Sequence, residues 1–133
     1  MRMIFVWLGL LAAFVAVNAQ TLTSPDGNLK MQFHLSDEGK PVYSLMYKEK
    51  EVINESKMGF QISPSIAFDR NFSVVETKID SCNTVWNTVW GQNSEISDHH
   101  KELWVALKQE KSGRLLNIRF RLFNDGLGFR YEF

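Results

Sequence analysis

The sequence predicts an all-β secreted domain, an antiparallel β-sandwich, from three observations. Apolar residues recur at a period of two along most of the chain. Turn residues divide those runs at short intervals. A signal-like segment precedes them. The clearest run is "LKMQFHL", which sets Leu29, Met31, Phe33 and Leu35 on one face and Lys30, Gln32 and His34 on the other. "DEGKP" (Asp37 to Pro41) is turn material, and "VYSLMYK" is the returning strand. "KEKEVI" (Lys48 to Ile53) reads as a tight reversal into a short strand, and "MGFQI" (Met58 to Ile62) as another. Together they form a meander of short antiparallel strands.

The middle of the chain is less regular. Pro64 and Asp69-Arg70-Asn71 break the lead-in to a strand expected from Phe72 to Ile79. "TVWNTVW" is extended, "GQNSEISDHH" reads as a loop, and "KELWVALKQE" as a strand. Glu, Leu, Ala and Lys would also suit a helix there. Strand prevails because Leu103, Val105 and Leu107 alternate with Trp104, Ala106 and Lys108. After the "KSGR" turn, Leu116, Ile118, Phe120 and Leu122 alternate with Asn117, Arg119 and Arg121. "FNDGLGF" then predicts a hairpin. Asn124, Asp125 and Gly126 tolerate a left-handed turn, and Gly128 permits a bulge or a close approach.

Residues 1–19 read as a secretory signal peptide: a basic start at Arg2, an apolar run from Ile4 to Val17, and cleavage after Val17-Asn18-Ala19. That run is short of the roughly 20 residues a membrane span needs. The expected location is the periplasm or cell surface, with no membrane attachment after cleavage. Residues 20–133 form one domain, long enough for one core and too short for two. The sequence holds 15 basic and 15 acidic residues, and removing Arg2 with the signal leaves 15 − 1 = 14 basic against 15 acidic. Such a balance excludes nucleic acid as the expected partner, since phosphate recognition needs a basic face. Cys82, the single cysteine, excludes an internal disulfide framework and reads as a small buried side chain.

Chemistry is sparse. A metal centre needs several ligands converging on one point. The densest cluster, "EISDHHKE", supplies Glu95, Asp98, His99, His100 and Glu102. Adjacent histidines on a strand face opposite ways, so the expectation is a solvated loop anchored by one histidine, with no metal ligand assigned. No Gly-x-Ser-x-Gly elbow is present, and no carboxylate pair stands out for glycoside hydrolysis. The tryptophans Trp86, Trp90 and Trp104 suit either core packing or stacking on sugar rings. Trp90, beside Gly91 and a polar loop, is the least core-like. Turn chemistry accounts for Asn124 and Asp125 without a functional role.

Three stretches resemble the N-terminal domain of glycoside hydrolase family 97, secreted α-glucosidases and α-galactosidases of Bacteroidetes type. They are "LTSPDGNLKMQFHLSDEGKPVYSLMYKEKEVI", "TVWNTVWGQNSEISDHHKELWVALKQ" and "IRFRLFNDGLGFRYEF". The second departs from the family pattern. Gln92 stands where the family has Glu, and the Arg and Tyr of the family loop are lost while His99 and Glu102 are kept.

The resemblance implies a β-super-sandwich leading into a (β/α)₈ barrel and a C-terminal β-domain. The barrel supplies the catalytic carboxylates, and calcium sits near the substrate with its N-terminal-domain ligand beyond the matching residues. It therefore carries no catalytic residue, metal ligand or cofactor onto this chain. The expectation is an incomplete sandwich, a fragment truncated before the domain ends, inactive alone and serving a carbohydrate-active parent enzyme. Trp90, Gln92, His99, Glu102, Asn124 and Asp125 are its candidate substrate- or barrel-facing residues. The alternatives are a stand-alone carbohydrate-binding module and a structural fragment that pairs through an exposed strand edge.

Overall fold

A computed structural model describes residues 19–92 and 94–133. Residues 1–18, most of the expected signal peptide, lie outside the described residues. Among the described residues, ten strands run β1 (Gln20–Thr23), β2 (Leu29–Leu35), β3 (Pro41–Tyr47), β4 (Lys50–Lys57), β5 (Phe60–Ser63), β6 (Ile66–Phe68), β7 (Phe72–Asn87), β8 (Glu95–Gln109), β9 (Leu115–Phe123) and β10 (Leu127–Glu132). They form two four-stranded antiparallel sheets, β1-β2-β3-β4 and β10-β9-β8-β7, with a small β5-β6 sheet beside them.

The sandwich closes where the two period-two patterns face each other. Leu22, Leu29, Met31, Phe33 and Leu45 of the first sheet meet Leu103, Val105, Leu107, Leu116, Ile118, Phe120 and Leu122 of the second. Phe33 and Phe120 pack with ring centroids 5.5 Å apart. Each fully buried aromatic or aliphatic chain of this kind contributes about 1.5–3 kcal/mol through removal from water.

The β3–β4 reversal is as tight as "KEKEVI" implies. Lys48 and Glu49 both take positive φ, 46° and 66°, the left-handed pair that a two-residue hairpin requires. The β9–β10 turn differs from expectation. None of Asn124, Asp125, Gly126 or Gly128 has positive φ, and a Cβ on Gly128 would meet nothing within 4 Å. The turn closes instead through Phe123 N donating to the Gly126 carbonyl at 2.8 Å. Asn124 Oδ1 accepts from Asp26 N at 2.9 Å, tying this turn to the β1–β2 turn.

Two further expectations are corrected. The strand expected at "MGFQI" is β5, and it pairs across Pro64 with a second strand, β6, that the proline obscured. It caps one end of the core: Phe60 stacks on Phe68 at 5.2 Å, and Gly59 N donates to the Tyr131 hydroxyl at 2.9 Å. Gly59 sits at φ 124°, with the Phe68 carbonyl oxygen where a Cβ would go, so only glycine fits. Gln109, buried, fastens the cap by donating to the carbonyls of Ala67 (2.9 Å) and Arg70 (3.0 Å).

The second correction concerns "GQNSEISDHH", which is not a loop throughout. β8 begins at Glu95, and its first residues pair residue for residue with β7, Asn87 opposite Glu95 through Cys82 opposite His100. The polar composition hides the strand because no sheet faces it there. β9 pairs with β8 only as far as His100 opposite Phe123. Beyond that point β7 and β8 project alone. From Cys82 to Asn87 that is about 16 Å of ribbon at the usual rise of a strand.

Candidate functional site

The outward face of β7–β10 is built by the residues that alternate with the core. Across it lie Cys82 opposite His100, Asp80 opposite Glu102, Lys78 opposite Trp104, and Arg121 and Arg119 on the β9 side. β10 adds Gly128, Arg130 and Glu132, opposite Arg121, Arg119 and Asn117. This is a lattice of charge pairs. Glu102 accepts from Arg121 Nε at 2.9 Å and from Arg119 Nη1. Glu132 accepts from Arg119 Nε at 2.7 Å and Arg130 Nε at 2.8 Å. Trp104 Nε1 donates to Glu132 at 3.2 Å, and Lys78 Nζ lies 5.1 Å from the Trp104 ring centroid.

The electrostatics follow from that geometry. The Arg119 hydrogen bond, reinforced by Arg130, holds the Glu132 carboxyl down at about 2 against the opposing effect of burial. For Glu102, burial favours the neutral acid, but the bonds from Arg121 and Arg119 outweigh it and lower the pKa. Both carboxylates are thus ionised and saturated by guanidinium donors. A shallow depression on this face is lined by Lys78, Asp80, Glu102, Trp104, Asn117, Arg119 and Glu132. A second lies beside Arg121, Phe123 and Arg130, where Gly128 contributes no side chain.

The six candidate residues do not converge. Trp90 and Gln92 stand exposed at the tip of the projecting ribbon, Trp90 at 90%. His99 is exposed on the ribbon, opposite Asn83. Glu102 is locked between its two arginines. Asn124 and Asp125 lie exposed in the β9–β10 turn, where Asn124 serves as a turn-to-turn clasp. Arg119, Arg130 and Glu132 do not stand out in the sequence as members of this face. Their signal is the polar half of the β9 alternation for Arg119 and of the β10 alternation for Arg130 and Glu132, whose partners only the strand register supplies.

The ribbon is also the main uncovered apolar surface. Val85, Trp86, Val89 and Trp90 are all exposed, Val89 at 89%. Among the described residues, those gathered on this face do not fit calcium, which takes six to eight oxygen ligands. Glu102 and Glu132 are occupied by arginines, and the cluster that does gather, Cys82, Asp98 and His100, includes a thiol.

What the fold and this face define is an all-β domain with one charged sheet face and an uncovered apolar arm. The family model described as Glycosyl-hydrolase 97 N-terminal matches residues 22–133. A retaining alpha-galactosidase of Bacteroides thetaiotaomicron is 24% identical over 111 residues, covering 84% of this chain and 16% of that protein. A glycoside hydrolase family 97 enzyme from a Pseudoalteromonas species, solved with panose and with acarbose, is 35% identical with a TM-score of 0.78. The match covers 85% of this chain and 17% of that one. A beta-arabinopyranosidase structure is 25% identical, with a TM-score of 0.74 over 84% of this chain and 18% of its own.

The chain belongs to the glycoside hydrolase family 97 N-terminal domain family. It spans about a sixth of the length of these relatives.

Proposed function

We propose that this chain is the non-catalytic N-terminal sandwich of a secreted enzyme acting on α-glucosides or α-galactosides. Its β7–β8 arm is the face that meets the catalytic barrel. The observation that carries this reading is the arm itself. Four large apolar side chains, Val85, Trp86, Val89 and Trp90, stand in solvent on a ribbon with no facing sheet. Soluble domains rarely leave apolar patches without a partner. The relatives supply a class of partner, since each is several times longer than the matched segment. Residues 1–19 would direct the protein across the inner membrane, to the periplasm or cell surface.

No pair of free carboxylates flanks a sugar-sized cleft on the charged face, because Glu102 and Glu132 are each bound by two arginines. The isolated chain should therefore not hydrolyse an aryl α-glucoside or α-galactoside, with or without calcium. Turnover that disappears in Glu102→Gln would overturn the reading. A second reading, a stand-alone carbohydrate-binding module, is favoured by the exposed indole of Trp90, since flat aromatic faces stack on sugar rings. Titration with maltooligosaccharides separates the two. Saturable binding lost in Trp90→Ala supports the binding module, and no heat change supports the docking arm.

A further inference from the structure

We propose that Cys82, Asp98 and His100 form a binding site for a thiophilic divalent cation, with zinc as the chemistry of the donors indicates. The register makes the site. Cys82 and His100 are direct partners across β7 and β8, and Asp98 shares their face two residues before His100. One sulfur, one ring nitrogen and one carboxylate oxygen all lie within 4.8 Å of one another. Tetrahedral zinc, with bonds of about 2.0–2.3 Å, places neighbouring ligand atoms about 3.3–3.6 Å apart. Binding therefore requires the 2.6 Å contact between His100 Nδ1 and Asp98 to open and the wider separations, at most 4.8 Å, to close to that spacing.

The histidine is already oriented. His100 is 4% exposed, its ring packs against Phe123 at 5.1 Å, and its Nδ1 lies 2.6 Å from Asp98 Oδ1. The other nitrogen, Nε2, faces Glu102 Oε2 at 3.9 Å. Nδ1 is thus the ligating atom, and the metal takes the place of the proton between Nδ1 and Asp98. Nε2–H then faces the negative charge of Glu102, whose oxygens the two arginines already hydrogen-bond, so Glu102 orients the ring by charge rather than by a bond of its own. Cys82, half-buried beside Thr84, binds as the thiolate and releases its proton to solvent. A mixed S, N, O set selects zinc-like ions over calcium or magnesium. With three protein ligands the fourth position is left to water.

Cobalt(II), a spectroscopic substitute for zinc, tests the site on the whole chain. The expected result is a thiolate-to-cobalt charge-transfer band that saturates at one ion per chain and is bleached by zinc. Cys82→Ser should abolish the band, Asp98→Asn should weaken binding by about tenfold or more, and His99→Ala, on the opposite face, should leave it intact. Circular dichroism checks that each variant is folded. Because His100 is buried, the more exposed Asp98 provides the second ligand variant. Absence of the band in the folded wild-type chain overturns the proposal. So does a band unchanged in Asp98→Asn, which would mean a thiolate binding cobalt without the other two donors.

Discussion

The two ends of the β7–β8 ribbon are made of the same ladder and differ in almost everything else. At the inner end, Leu103, Val105 and Leu107 are fully buried against the first sheet. At the outer end, Val85 and Trp86 on β7 are exposed although the same ladder carries them, as are Val89 and Trp90 in the turn beyond it. Strand pairing alone therefore buries nothing. Burial comes from the sheet opposite, and the arm has none within this chain. An apolar arm maintained without a facing sheet is interpretable as one half of an interface.

That contrast can be broken first at its inner end. Phe120→Ala removes a fully buried ring that packs on Phe33, Tyr43 and Phe129. It should cost about 3–5 kcal/mol, read as a lowered urea midpoint. A change below about 1 kcal/mol would mean that the core is not packed as described.

Between the two ends lies the charged face. Glu102→Ala leaves Arg121 without its carboxylate and Arg119 with only Glu132, and should cost about 1–2 kcal/mol in a chemical denaturation series. The same lattice gives an acid dependence. The Glu132 carboxyl, depressed to about 2 from 4.5, contributes stability that is complete above the unfolded value and lost as pH falls toward 2. Glu132→Gln should flatten that decline, and an unchanged acid limb would exclude this carboxylate as its source. At the outer end, Trp90→Ala should alter stability by less than about 0.5 kcal/mol, because the indole touches little of its own chain.

The legibility of the molecule follows the same division. Where a facing sheet imposes a buried side, the alternation announced the strand, as in Leu116 to Leu122 and Leu29 to Leu35. Where no sheet faces the chain, Glu95 to His100 carries no apolar period, and the strand was read as a loop. Pro64 likewise hid Ile66–Phe68, whose partner strand lies across a turn. Of the candidate site, the exposure of Trp90 was legible from its polar neighbours. The meeting of Cys82 with His100, and of Glu102 with Arg119 and Arg121, was not. Those contacts depend on strand register, a long-range property that residue types on one strand do not encode. The left-handed turn that Asn124, Asp125 and Gly126 tolerate is not adopted, and the tie between the Asn124 side chain and the distant Asp26 amide is likewise a long-range contact.

The central claim, that the arm is an interface lacking its other half, is tested most directly by residue-resolved amide hydrogen exchange on the monomeric chain. Residues 103–107 should exchange only through global unfolding, and residues 84–98 through local opening at a small fraction of that free energy. Equal protection of the two segments in a monomer would show that the arm is already covered and would contradict the account.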